Sequence, residues 1–334
     1  MAGIKVLSKV QFGLEAPSGL AVPATAVWRG ERGDATNLRT VEFIPEDVGY
    51  IGGLSRTMVP SCGVEIKPAE TPATFEQFPV ILATAVEDIV AGTPDGIGSG
   101  RIYQYDLPTT VVNDVKTLTM EYGDDTQAYE SAYCFCTEFN LRGEADGAVR
   151  MAATWRGRDE DKCVFTDLSP VAVEEILFNK GILYIDDAEG YIGDSPVSCS
   201  LVSFALAVKT GWVAKVTADG ELYFCFIQQT GPEVTLEITF EHNASAVAER
   251  DKWLLEAQRQ IRLEFIGSAL ATPGTAYTYK TLRVDLSGKW ENFGTIGDRD
   301  GNDIVTGTFR ARIEEGGALF GQFIVVNELA AILT

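Results

Sequence analysis

Histidine is almost missing from this chain: His242 is the only one among 334 residues. A Ser–His–Asp or Cys–His catalytic arrangement would have to use it. It stands beside Asn243, just ahead of a helical pattern, where a polar cap is expected. Six cysteines occur, Cys62, Cys134, Cys136, Cys163, Cys199 and Cys225, and none forms a C-x-x-C pair. With one histidine and no ligand spacing, a zinc-type site is not expected. The cysteines read as small buried residues of a reducing compartment. No apolar run approaches the roughly 20 residues needed to cross a bilayer. The opening MAGIKVLSKVQFGLE alternates apolar and polar residues and lacks the apolar core and cleavage site of a secretory signal. Basic residues are in short supply, 27 Lys and Arg against 48 Asp and Glu, for a net charge of −21. That balance argues against nucleic-acid binding through a basic footprint.

Motifs of the kind that carry chemistry are also incomplete. Residues 298–303, DRDGND, begin like a calcium loop, but the twelfth position is Phe309, where a bidentate carboxylate is required. A hairpin turn is the better reading. The sequon Asn243-Ala244-Ser245 matters only in a secreted eukaryotic protein, a context nothing suggests. The carboxylates are too many to single out a glycosidase pair. The expectation is therefore a protein that is not an enzyme, with no catalytic, cofactor-binding or metal-binding residues.

Short runs rich in β-branched and aromatic residues fill the chain, separated by Gly, Asp and Asn. They cover 41–43, 101–105, 118–122, 149–155, 203–208, 222–227, 234–240, 261–266, 282–286, 304–313 and 319–326. Such a pattern predicts antiparallel sandwiches or barrels. Two stretches have helical spacing. One places Phe75, Phe78, Leu82, Ala85 and Val86 on one face, with Pro79 in its first turn. The other, 245–258, places Val247, Leu254 and Leu255 on one side.

Short phrases of the chain recur. Lys116-Thr117-Leu118 recurs as Lys280-Thr281-Leu282, and Val64-Glu65-Ile66 as Leu236-Glu237-Ile238, each followed by a helical stretch or strand. A length of 334 residues fits two ordinary domains. We expect a mainly β chain of two tandem domains, each a two-sheet antiparallel sandwich or barrel with one flanking helix. The first covers 1–160, a docked linker 161–196, and the second 197–334. Two Gly-rich segments read as excursions. Residues 93–100 are a loop without phosphate-binding spacing. Residues 44–62 form a long loop reaching toward a neighbouring subunit, with Pro45, Asp47, Tyr50, Ile51, Leu54, Arg56 and Met58 as candidate contacts.

Several phrases taken together resemble the major tail tube proteins of bacteriophages with long, non-contractile tails. They are the opening 1–30, VEFIPEDVGYIGG (41–53), the block from EYGDD to WRGR (121–158) and the ending from LRVDLSGKWENF to NELAAIL. The resemblance implies a structural virion protein, assembled in the bacterial cytoplasm and located in the virion tail. Its subunits would pair sheets edge to edge into stacked rings, with loops and chain ends binding the next ring and DNA passing through without specific binding. It implies contacts with other tail proteins: tape measure, terminator and distal tail. An internal duplication would make a ring of three chains mimic six, with a hexamer of whole chains, one half decorating the exterior, as the other arrangement. An acidic inner wall is expected, since a basic one would hold DNA. Another virion β-protein, of capsid or baseplate, shares these features. A two-domain carbohydrate-binding or carbohydrate-active protein is less well supported, because the five tryptophans are scattered.

Overall fold

A computed structural model describes residues 4–313, 316 and 319–332. The chain is mainly β, with large antiparallel sheets and, among the described residues, two α-helices. The principal strands of the first half are β1 (Lys9–Leu14), β2 (Val64–Lys67), β3 (Arg101–Asp106), β4 (Leu118–Gly123), β5 (Ala128–Glu144) and β6 (Arg150–Gly157). Those of the second are β7 (Gly181–Asp187), β8 (Leu201–Lys209), β9 (Glu233–Glu241), β10 (Gln258–Ala269), β11 (Tyr279–Phe293), β12 (Asn302–Ala311) and β13 (Gly321–Asn327). The helices are α1 (Phe78–Ala85) and α2 (Ala244–Leu254). No helix among the described residues is long and apolar enough to cross a membrane.

Period-2 patterning sets which way each strand faces. In β9, Val234, Leu236, Ile238 and Phe240 are buried while Glu237 is exposed. In β8, Val202, Phe204, Leu206 and Val208 go inward, and Ala205, Ala207 and Lys209 outward. Two long strands each serve two sheets. β5 shifts register between Cys136 and Glu138; its first part pairs with β4 and its second with β6 and β8. β11 shifts between Trp290 and Asn292; its first part pairs with β10 and β13 and its second with β12. Such shifts bend a strand and let it leave one sheet for another.

The widest sheet runs Asp34–Asn37, β2, β6, β5, β8, β9, β12, β11, with every neighbouring pair antiparallel. Beyond it lie the order β7, β10, β11, β13, β3 and the order β1, β4, β5. Val10, Met120 and Leu263 belong to the same buried cluster as Trp155, Leu206 and Ile238. One core therefore joins both halves of the chain. β3 pairs with β13, and β5 with β8, across the expected connection 161–196. That connection is ordered: Asp161–Cys163 pairs with β5, and β7 lies inside it and pairs with β10.

The pairing order itself occurs twice. In the first half, β1 pairs with β4, β4 with β5, β5 with β6, and β6 returns to β2, the strand before α1. In the second, β7 pairs with β10, β10 with β11, β11 with β12, and β12 returns to β9, the strand before α2. Asp34–Asn37 flanks β2 as β8 flanks β9. Val64-Glu65-Ile66 and Leu236-Glu237-Ile238 thus hold equivalent places. The two Lys-Thr-Leu runs do not. Lys116 lies two residues before β4, whose counterpart is β10, whereas Lys280 sits in β11, the counterpart of β5. Their lysines also have different partners: Lys116 meets Asp88 at 3.0 Å, and Lys280 meets Glu76 at 2.8 Å and Glu174 at 3.2 Å.

The helices differ. α1 is wholly buried, Phe78 through Ala85. Phe78 packs edge-on to Phe139 and Phe323, and Trp155 Nε1 donates to Thr84 Oγ1 at 3.1 Å. A helix covered on all sides has no use for a polar face. Pro79 fits its first turn, where no intrahelical bond is lost. In α2, Asn243 Oδ1 accepts from the Ser245 and Ala246 N–H groups, the cap expected there. The apolar side expected of it is wrong. Val247, Leu254 and Leu255 are exposed, and α2 buries Ala246 and Glu249. The cause is polar: Glu249 accepts from Arg259 at 2.7 Å and from Trp290 Nε1 at 2.9 Å, which turns that side of the helix inward.

Candidate assembly interface

One face of the eight-strand sheet carries the core, and its other face is open. Small residues occupy the open centre: Asn140 is opposite Ala207, and Ala207 opposite Thr235. The hydroxyls of Thr239 and Thr306 bond across strands at 2.9 Å. Several charges on this face stand opposite the other sign, although Arg310 is opposite Lys289. Lys209 stands between Glu138 and Glu233, Arg156 opposite Glu65, and Lys67 opposite Asp34. Arg310 Nε lies 3.0 Å from Glu291. Exposed pairs of this kind stabilise little, but they leave the face close to neutral despite the net −21 of the chain.

Among the described residues, the two edges of this sheet are open. Asp34–Asn37 pairs with β2 alone, and all four of its residues are exposed. At the other end, β11 beyond Lys289 pairs with β12 alone, and residues 294–298 are exposed. Unpaired backbone groups along an edge are a template for another strand. Within the chain, the corresponding position is filled. The second part of β5, counterpart of the end of β11, pairs over Glu138–Glu144 with Ser203–Lys209 of β8, counterpart of Asp34–Asn37.

Two excursions leave the sheet between equivalent strands. The first, 38–62, forms a small hairpin in which Glu42–Phe43 pairs with Thr57–Met58. Ile44 N–H donates to Arg56 O at 3.1 Å, and Arg56 reaches Glu46 at 2.6 Å. Pro45, Asp47, Tyr50, Ile51, Leu54, Arg56 and Met58 are all exposed on it. Phe43 is 74% exposed as well. The second excursion, 210–232, carries the hairpin Trp212–Lys215 with Phe226–Gln229. Gly211 and Gly231 turn the chain at its base with φ of 75° and 124°. This one is folded down onto the first half. Trp212 Nε1 donates to Ala85 O, the last turn of α1, at 3.0 Å. Phe224 packs edge-on to Phe135 at 5.6 Å. The Arg158 guanidinium lies 4.2 Å above the Tyr133 ring, donates from Nε to Phe224 O at 3.0 Å, and also bonds Cys225 O. Burial pushes the Tyr133 phenol up, against the opposing pull of Arg158. The sequence pattern predicts a strand over 222–227. Only Phe226–Gln229 is one, because Leu222 to Cys225 turn down into this contact. The pair of glycines around Trp212 and Phe224 was the signal for a closed excursion.

The other singled-out residues lie elsewhere in the fold. His242 N–H donates to Asp303 O at 2.8 Å next to the Asn243 cap. Cys134 and Cys136 are buried, and burial lifts the Cys134 thiol to about 12. Cys199 is exposed. Residues 298–303 make the expected hairpin, with Asp300 and Gly301 at its tip at positive φ. Residues 93–100 turn between Thr93–Pro94 and β3, and Asp95 at their base accepts from the Thr275, Ala276 and Tyr277 N–H groups. Among the described residues no group of three or more His, Cys, Asp or Glu is placed to hold a metal ion. Of the chain ends, residues 1–3 and 333–334 lie outside the described residues. No protein-family model matches the chain, and no curated protein matches its sequence.

Proposed function

We propose that the chain is a structural subunit that closes with copies of itself into rings, the rings stacking into the tail tube of a long, non-contractile bacteriophage tail. The repeated pairing order is read as two copies of one domain, each a two-layer β unit with one helix, sharing a core along the seam between β5 and β8. One observation carries the proposal. The chain uses that seam once internally and leaves its two equivalents, Asp34–Asn37 and the end of β11, open at opposite edges of one sheet. Joining them head to tail is a heterologous contact that can close into a ring and leaves no exposed edge.

Each chain contributes eight strands to the wide sheet, so three chains contribute 24, six sets of four. At about 4.8 Å between strands and a tilt of about 40°, such a barrel is about 48 Å across between backbones. The open sheet face then lines the bore, with the helices outside it. On that face charges pair across strands, so the wall is close to neutral and the acidic excess of the chain lies elsewhere. In this proposal a near-neutral wall takes the place of the expected acidic one, and it equally denies DNA phosphates a cation to bind. The projecting hairpin 38–62 belongs to the same assembly as a contact between subunits. The proposed location is the virion tail, with DNA passing through the bore unbound and the other tail proteins meeting the two ends of the tube.

Electron microscopy of the purified chain across a concentration series tests the proposal. Rings and tubes are expected. A chain that remains monomeric at every concentration contradicts it.

A further inference from the structure

The repeat contains one contact that is made once and missing once. Excursion 210–232 of the second set seats on the first set, at the end of α1 and against Arg158. Its counterpart 38–62 holds its apolar residues in solvent; Ile51 is fully exposed and Tyr50 is 73% exposed. The counterpart of the seat lies on the second set. Arg158 follows Gly157, which pairs with Val64, and Arg310 follows Phe309, which pairs with Leu236. These are the equivalent strands, so Arg310 holds the place of Arg158. Ala85 closes α1 as Leu254 closes α2.

What stands at that second seat is a bare apolar step. Leu254 is 66% exposed and Leu255 is 76% exposed, with Trp253 and Phe293 packed together beneath at 5.9 Å. Adjacent exposed leucines over an aromatic base are the kind of patch that marks an interaction surface. Among the described residues nothing covers Leu254 and Leu255, and the projecting apolar segment of matching topology is 38–62.

We propose that hairpin 38–62 of one chain seats on the C-terminal end of α2 in the neighbouring copy of this chain. Phe43, Tyr50 and Met58 cover Leu254 and Leu255, and backbone carbonyls of the hairpin meet Arg310, as Phe224 and Cys225 carbonyls meet Arg158. The occupant is a second copy because the equivalence of the seams places the second set of another chain beside Asp34–Asn37, where the hairpin begins. About 12 residues in each limb span up to about 40 Å, ample reach for a neighbour across one strand pair. The assignment rests on the ring proposed above.

A photo-crosslinking amino acid in place of Leu254, with mass spectrometry of the linked peptides, reads the contact directly. In assembled material we expect a link between chains ending within residues 38–62. The double variant Leu254→Asp/Leu255→Asp should melt as the parent does, because both side chains are exposed, while needing about a hundredfold higher concentration to assemble. Rings whose crosslinks end in another segment, or a double variant that assembles at the parental concentration, overturn this docking and leave the ring standing. A parent chain that never assembles removes both.

Discussion

Replacing Ala35 by proline tests the outer edge of the sheet one hydrogen bond at a time. Leu38 N–H donates to Gly63 O at 2.8 Å. In an antiparallel ladder, alternate residues turn their N–H and C=O to the same side. Thr36 and Asp34 therefore face β2, and Ala35 and Asn37 face outward. Proline at 35 removes an outward donor and places its ring where a neighbouring strand would lie, while keeping every bond to β2; proline is accepted at edges of this kind. A seam hydrogen bond contributes about 1 kcal/mol net. With a similar amount for the ring clash, the loss is about 2 kcal/mol per seam, or about 30-fold in association. Each added chain makes one such seam, so the concentration at which Ala35→Pro protein assembles should rise about 30-fold in pelleting or light-scattering assays. Its monomer should melt as the parent does. Thr36→Pro is the control: it removes a bond to β2 and should lower the melting temperature itself. An Ala35→Pro chain that assembles at the parental concentration would refute the edge pairing.

Other expectations concern the hairpin, the inner ion pairs and the bore. Deleting 48–58 should leave a folded, soluble subunit that no longer forms tubes, checked by circular dichroism and microscopy; normal tubes would make the hairpin an ornament. Lys280, largely buried with Glu76 and Glu174, ties β11 to the segment just before α1 and to the connection at Glu174. Lys280→Met should cost about 3 kcal/mol, because it strands two carboxylates. Burial alone would lower the Lys280 pKa, but its hydrogen bond and attraction to Glu76, then to Glu174, outweigh this and raise it. Burial would raise that of Glu174, but bonds from Ser268 and Lys280 prevail and hold it below the usual range. The contribution of Glu174 is therefore complete above its unfolded value and lost as pH falls through its lower folded value. That of Lys280 is complete below its unfolded value and lost as pH rises through its higher folded value. The melting gap between parent and Lys280→Met should be widest and flat from about pH 5 to 10 and narrow on either side, read by thermal denaturation against pH. Assembled tubes should show no measurable affinity for duplex DNA at low salt, where a basic wall would bind most tightly.

Much of the strand content is legible in the sequence because alternation survives wherever one face is buried, as in β8, β9 and β12. The hairpin at 298–303 and the Asn243 cap are legible for a local reason: their backbone needs are met by residues at fixed short spacing. β5 is not. Its register shift at Cys136 and its change of sheets break the period, so Tyr133 to Thr137 reads as a featureless apolar run. The exposed side of α2 misleads because the helix is anchored by a buried Glu249–Arg259 pair and not by its leucines. Pairings such as β3 with β13 join residues more than two hundred positions apart, and nothing local encodes a partner at that distance. The two Lys-Thr-Leu runs fall on strands that do not correspond in the repeated pairing order. What repeats is the order of pairing, within which Val64-Glu65-Ile66 and Leu236-Glu237-Ile238 hold matching places. Of the proposed assembly surface, the segment 44–62 is legible as Gly- and Pro-rich sequence, while the open edges emerge only once the strands are ordered.

The rotational symmetry of the ring is the measurement closest to the centre of the account. If each set of four strands fills one sixth of the circle, averaged end views of rings should show threefold symmetry with strong sixfold harmonics, a mass of three chains per ring, and a backbone wall about 48 Å across. A ring of six whole chains with true sixfold symmetry would put 48 strands around the wall and double that diameter, or push one set to the exterior. Either outcome would contradict the equivalence of the internal seam and the seam between chains.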